Sequence, residues 1–291
     1  MQWLPRDQLL SFEEITRVTR VCVERFGLES VRLTGGEPTV RADLAVLVEM
    51  LTGLGVELAM TTNGATMGLL AQRLRRAGLS RVNISCDSLR RDRFEAITRR
   101  DALSQVLDGI DAAVAAGFDP VKMNTVVVRG VNDDEVVDIA AFGRETGVQP
   151  RFIEFMPLDA DGAWTRDQVV PAQEIIGAID SVFPLEPVSR GSEPAARWRY
   201  RDGAGEIGVI ASVTQPFCAS CDRVRLTAEG EFRSCLFAVR EADLRAVLRS
   251  GGGDDDLAAA IEDEVARKWA GHSIGTVRFV RPGRSMSQIG G

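Results

Sequence analysis

A chain of 291 residues, 45% of them hydrophobic and with a net charge of −7, can bury a sizeable core but is a poor general binder of nucleic acid or anionic membrane. No apolar run approaches the ~20 residues of a membrane span, and residues 1–14 lack the basic-then-apolar order of a secretion signal, so a cytoplasmic protein is expected. One histidine, His272, disfavours a histidine base or a Ser/His/Asp set, and five cysteines with three clustered read as metal ligands rather than a disulfide framework.

In chain order, Ser11-Phe12-Glu13-Glu14 forms a capping box. Ile15, Val18, Cys22, Val23 and Phe26 follow at helical spacing, with Gly27 as the stop. A short strand over 30–33 ends in Thr34-Gly35-Gly36. The alternation then repeats: helix 42–54 and strand 57–60, helix 69–77 and strand 81–85, helix 102–116 and strand 121–128, helix 133–145 and strand 148–155. Gly27, Gly78, Gly117 and Gly147 stand where C-caps belong. Five strands alternating with helices predict an α/β fold, a parallel sheet or partial barrel with function at the C-terminal ends of its strands. The chain opens on a helix, so the series lacks its first strand and the loop after it, and the strand over 30–33 is expected to have an exposed edge.

After Pro157 the rhythm changes. Loops are expected over 159–164 and 189–196, a short helix over 171–179, and strands over 197–200, 206–210 and 224–226. This suggests two parts, a β/α unit over 1–157 and a smaller C-terminal α+β unit over 158–291 that carries the clustered cysteines. The run Gly251 to Asp256 reads as a turn with acids at the start of the next helix rather than a carboxylate metal site.

Cys218, Cys221 and Cys235 form C-x2-C-x13-C, with a hairpin through Glu229-Gly230 to bring the third thiol back. A structural zinc needs four ligands, for which His272 is available; an iron–sulfur cluster accepts three thiolates and leaves one iron open. Cys22 and Cys86 sit singly in apolar patterns and read as packed side chains. Arg223 and Arg225 fall on one face if extended, as a phosphate-binding pair or as a solvated strand face. Gly35-Gly36 permits close backbone approach to a ligand, and Glu37 can anchor a cation. Arg32 and Lys122 lie in strands, where a charge needs a partner or a cavity. Thr61-Thr62-Asn63-Gly64 ends the strand between them in sequence.

The segments Arg32 to Pro38, Thr61 to Gly64, Asn83 to Ser88, Arg151 to Pro157, Phe217 to Leu226, Cys235-Leu236-Phe237 and the closing Gly290-Gly291 together resemble the radical S-adenosylmethionine GTP 3′,8-cyclase family of molybdenum cofactor biosynthesis. The resemblance runs over essentially the whole chain, and the cysteine segment with R-x-R and the Gly-Gly tail is its most specific part.

That resemblance implies a partial, incomplete TIM-like parallel β/α barrel of the radical S-adenosylmethionine type. It implies that Cys218, Cys221 and Cys235 hold a 4Fe–4S cluster whose open iron meets the guanine of GTP. Arg32, Thr61, Lys122, Arg223 and Arg225 would contact GTP; Gly36, Ser85 and Met156 would contact S-adenosylmethionine; Gly290 and Gly291 would reach into the active site. The implied lyase reaction joins C8 of guanine to C3′ of the ribose, after a 5′-deoxyadenosyl radical takes hydrogen from C3′. A reductant and the next enzyme of the pathway are the implied partners, with room for a homodimer and none for nucleic acid or membrane. The family also has a C-x3-C-x2-C loop after its first strand, holding a second 4Fe–4S cluster, and an upstream arginine on GTP. Neither occurs in these 291 residues. The expectation is therefore a chain inactive alone, with Met1 an internal methionine and no catalytic residue assignable. The alternative is a non-catalytic GTP- and iron–sulfur-binding paralogue or partner subunit.

Overall fold

The structure is a computed structural model and describes residues 5–158, 162–189, 191, 193–268, 274, 282–284 and 286. Ser11 opens the first helix, α1 (Phe12–Phe26), through the expected box: its hydroxyl accepts from the Glu14 amide at 3.1 Å while its own amide donates to Glu14 Oε2 at 2.7 Å. Gly27 ends it with a φ of 65°, a conformation that suits a residue without Cβ.

The expected alternation follows as β1 (Ser30–Leu33), α2 (Leu44–Thr52), β2 (Glu57–Thr62), α3 (Met67–Arg76) and β3 (Arg81–Ser85). An extra helix, α4 (Arg91–Thr98), then precedes α5 (Leu103–Ala115), β4 (Val121–Val127), α6 (Val136–Thr146) and β5 (Gln149–Glu154). Strands β1 to β5 pair parallel in sequence order. Their helix-facing residues, among them Met60, Val82, Ile84, Met123 and Phe152, are fully buried against Val48, Leu51, Leu74, Ile110 and Ile139. Each such large aliphatic or aromatic side chain contributes about 1.5–3 kcal/mol through burial.

The sheet does not stop at Pro157. After α7 (Ala172–Asp180) come β6 (Leu185–Val188), β7 (Ala196–Tyr200) and β8 (Glu206–Ile210). Strand β8 pairs parallel with β5, Arg151 opposite Gly208, and β7 and β6 extend the sheet antiparallel to give the order β1-β2-β3-β4-β5-β8-β7-β6. The strands over 197–200 and 206–210, expected in the smaller unit, thus belong to the large sheet. The physical reason is the open edge of β5, which β8 covers. Strand β1 has a neighbour on one side only among the described residues.

What remains separate is a three-stranded antiparallel sheet of β9 (Arg225–Leu226), β10 (Glu231–Arg233) and β11 (Ala242–Asp243), with α8 (Leu244–Arg249) and α9 (Asp254–Ala266). It shares a second core with α1, in which Val18, Val21 and Cys22 meet Phe232, Leu244, Leu257 and Ile261. The acids of the Gly251–Asp256 run open α9, and Asp254 and Asp255 pair with Arg17 at 2.7 Å and Arg25 at 2.6 Å. Among the described residues no helix is long and apolar enough to cross a membrane.

Candidate active site

Period-2 alternation and the parallel register decide which side chains share the face opposite the helices. Arg32 stands beside Ala59 and that beside Arg81; Thr61 stands beside Asn83 and that beside Lys122; Asn124 stands beside Arg151, and Gly208 separates Arg151 from Arg197. One face of the sheet therefore carries five cations from five strands. Gly208 makes room for the Arg151 side chain, since a Cβ there would stand 3.3 Å from Arg151 Cγ.

Three of the five have acidic neighbours: Arg81 pairs with Glu57 at 2.6 Å, Arg197 with Glu206 at 3.3 Å and Arg151, more loosely, with Glu193 at 3.7 Å. Lys122 is only 6% exposed, and burial, with Arg151, Arg81 and Arg32 nearby, brings its ammonium down to about 8 against the pull of Glu193. Burial also lowers the Arg151 guanidinium, whose nearest acid is Glu193 with Nη2 to Oε2 at 3.7 Å. The Arg32 guanidinium is lowered to about 10, first by burial and then by the repulsion of Arg151, Arg81 and Arg223, against the pull of Glu193. Arg32 and Thr61 meet at 3.5 Å. Positive charge gathered on one face of an acidic protein creates a local field that attracts anions. A cavity of about 410 Å³ opens at the N-terminal end of the same strands, lined by Arg81, Lys122, Gln149, Glu193, Arg197 and Glu206 among others.

The cysteine segment approaches the same face. All five cysteines are free; Cys22 and Cys86 are buried in core positions, while Cys218, Cys221 and Cys235 are partly exposed. A one-turn helix at Cys218–Ser220 joins the first two thiols, and the Cys221 amide donates to the Cys218 carbonyl at 3.1 Å. The β9–β10 hairpin turns at Gly230, where φ is 93°, and sets Arg233 opposite Arg225 two residues before Cys235. Arg223 donates to the Cys221 sulfur at 3.3 Å and lies over the Phe217 ring at 4.9 Å. Burial and Arg223 lower the Arg225 guanidinium to about 10, against the pull of Cys235 and Cys221. Lys268 Nζ donates to the Arg223 carbonyl at 2.9 Å, a contact between α9's end and the R-x-R segment that no local motif announces.

Among the described residues no three Cys, His, Asp or Glu side chains close round a single ion. Three thiols on a short turn and a hairpin, with the Arg223 guanidinium on the Cys221 sulfur holding that thiol below its ordinary value against the effect of burial, are nonetheless a donor set that a four-iron cluster can take, since it spreads its ligands over different irons. His272, the zinc alternative's fourth ligand, and the tail residues Gly290 and Gly291 lie outside the described residues.

The residues expected to contact S-adenosylmethionine sit at strand ends: Gly36 follows β1, Ser85 closes β3 and Met156 follows β5. Glu37, expected to hold a cation, is engaged otherwise. Its carboxylate accepts from Thr39 N at 3.0 Å, Thr39 Oγ1 and Thr62 Oγ1 at 2.6 Å, and Asn63 N at 2.7 Å, so it ties the Gly-Gly loop to the Thr61–Gly64 turn. The sequence reading missed Arg81, Arg151 and Arg197 as members of the cationic face. They carry the signal that marked Arg32 and Lys122, a charge inside a strand pattern.

Residues 2–143 match the Radical SAM superfamily and residues 148–274 match Molybdenum Cofactor Synthesis C. The chain is 45% identical over its whole length to a GTP 3′,8-cyclase of Streptomyces coelicolor, covering 87% of that protein. It is 49% identical to a GTP 3′,8-cyclase of Acidothermus cellulolyticus over 93% of its own length and 76% of the relative. A GTP 3′,8-cyclase of Mycobacterium marinum is 45% identical over the full chain, which covers 83% of it.

Proposed function

The chain belongs to the GTP 3′,8-cyclase family of molybdenum cofactor biosynthesis, and from that premise we propose that it binds GTP between the cationic sheet face and the cysteine hairpin. The observation that carries this reading is the convergence of Arg32, Lys122 and Arg151 from the sheet with Arg223 from the hairpin, in a protein of net charge −7. The forked guanidiniums and the Lys122 ammonium would hold the triphosphate, and Thr61 would orient Arg32 toward it. Cys218, Cys221 and Cys235 would hold a 4Fe–4S cluster, which with only three protein ligands would supply an iron able to take a further, external ligand. Gly36, Ser85 and Met156 would line the S-adenosylmethionine side at the strand ends, where α/β sites form.

The test is anaerobic reconstitution of the chain followed by iron and sulfide analysis and titration with GTP. Iron with sulfide and saturable GTP binding support the reading; zinc without sulfide, or no GTP binding by the loaded chain, would overturn it. The alternative reading is a GTP- and cluster-binding chain without turnover. Release of 5′-deoxyadenosine from S-adenosylmethionine under reducing conditions would favour the cyclase; GTP binding without it would favour the second reading.

A further inference from the structure

Glu154, the last residue of β5, has no exposed surface and lies on the helix-facing side of its strand, in line with Phe152. A carboxylate there is costly to bury unless its lone pairs are filled. No arginine or lysine pairs with it among the described residues. Backbone and hydroxyl donors do the work instead. Oε1 accepts from the Ala172 amide at 2.9 Å and from the Thr214 hydroxyl; Oε2 accepts from the amides of Val213 and Thr214, both at 2.8 Å.

The donors are more telling than their number. Ala172 begins α7, and Val213 and Thr214 lie between β8 and the Cys218–Ser220 turn, with Thr214 four residues before Cys218. On its own strand, Glu154 is two residues before Met156. One side chain thus joins the end of β5, the start of α7 and the segment that leads into the first clustered thiol. Strand pairing fixes β5 against β8 only from Arg151 to Ile153, opposite Gly208 to Ile210. Beyond those pairs Glu154 takes over, and the chain it holds runs directly to Cys218.

We propose that Glu154 is a positioning residue that sets the cysteine-bearing segment against the Met156 end of the sheet, so that the two halves of the site face each other at a fixed separation. This rests on the reading that Cys218, Cys221 and Cys235 hold an iron–sulfur cluster. Glutamine at this position keeps the shape but offers an N–H where one pair of donors points. The loop then shifts, while the sheet and its core are untouched.

The test compares the reconstituted chain with Glu154→Gln, Thr214→Val and Thr214→Ser. Iron content, the electron paramagnetic resonance spectrum of the reduced cluster with and without GTP, GTP affinity and thermal unfolding are measured on each. Glu154→Gln is expected to keep its iron, to lose the GTP-induced change in the spectrum and to bind GTP about tenfold more weakly, the size of one lost charge-assisted hydrogen bond. Thr214→Val, which deletes a single donor, gives a smaller shift of the same kind and serves if Glu154→Gln fails to fold. Thr214→Ser, which keeps the hydroxyl, restores the wild-type spectrum. Variants that lower the unfolding temperature but leave spectrum and GTP affinity unchanged would overturn the proposal. A wild-type chain that takes up no iron would overturn the cluster reading, and this role with it; iron uptake with insensitivity to all three variants would overturn this role alone.

Discussion

The Arg32 guanidinium on β1 reaches the Thr61 hydroxyl on β2, Nη1 to Oγ1 at 3.5 Å, and so links the edge strand to the row that continues through Asn83 to Lys122. A forked cation steadied at one corner keeps its other N–H groups for an anion. Arg32→Ala is expected to weaken GTP binding about tenfold, and Thr61→Val, which removes only a neutral partner, about two- to fivefold. Calorimetric titration of the reconstituted chain reads both. Equal losses from the two variants would mean that Thr61 touches the ligand directly.

Gly109 is the tightest point behind the site. A Cβ at that position of α5 would stand 2.2 Å from the carbonyl oxygen of Gly64, in the turn that follows β2. Gly109→Ala should therefore destabilise the chain by about 1–3 kcal/mol, because the helix must retreat from the sheet. A chain of this size loses about 2–4 °C per kcal/mol, so a thermal scan resolves it. Gly177, in the middle of α7, is the control: nothing lies within 4 Å of its added Cβ, and Gly177→Ala is expected to be neutral or stabilising.

The first five strands and their helices are legible because each carries its own signal: a box at Ser11, a 3.6-residue period, a glycine stop. α4 is not, since only Phe94 of its eight residues is buried and no periodicity develops. β7 and β8 were readable as strands, but alternation names a strand and not its neighbour. The place of β8 beside β5, with β7 beyond it, comes from pairing across nearly sixty residues (Arg151 with Gly208) that no local pattern encodes. The site divides in the same way. Arg32 and Lys122 stand out as charges in strands, and Arg151 could have been found by that rule. Lys268 on the Arg223 carbonyl and Glu154 on the Thr214 segment depend on how distant pieces of chain come together.

The cysteines divide by environment, and this can be counted. Burial pushes the Cys22 thiol up to about 11, and burial with the nearby Asp87 pushes Cys86 up to about 12. Thiols held protonated in a core are poor nucleophiles. Before cluster loading, an aromatic disulfide reagent should label three cysteines quickly in the native chain and all five only after unfolding. Loading the cluster first should remove the fast phase. Cys22→Ala should leave iron uptake intact, whereas Cys218→Ala, Cys221→Ala or Cys235→Ala should each reduce it. A fast phase of three that survives loading would show that these thiols are not the ligands.

Lys122 makes the strongest pH prediction. Its ammonium is lowered from 10.5 to about 8, first by burial and then by Arg151, Arg81 and Arg32, with Glu193 opposing. The unfolded chain holds this proton up to its ordinary value, so between about 8 and 10.5 the unfolded state binds more protons and Lys122 favours folding increasingly as pH rises. Ligand binding has the opposite sign. A triphosphate stabilises the charged form, so GTP binding near pH 8 draws a proton onto Lys122, and affinity falls as pH rises through that value. Titrations at one pH in buffers of different ionisation enthalpy measure the uptake directly. Wild-type chain should take up a fraction of a proton at pH 8 and less at pH 7, where Lys122 is already charged. Lys122→Met should bind GTP more weakly and abolish the difference between the two pH values. If the uptake persists in Lys122→Met, the proton goes to another group, and Lys122 does not face the triphosphate.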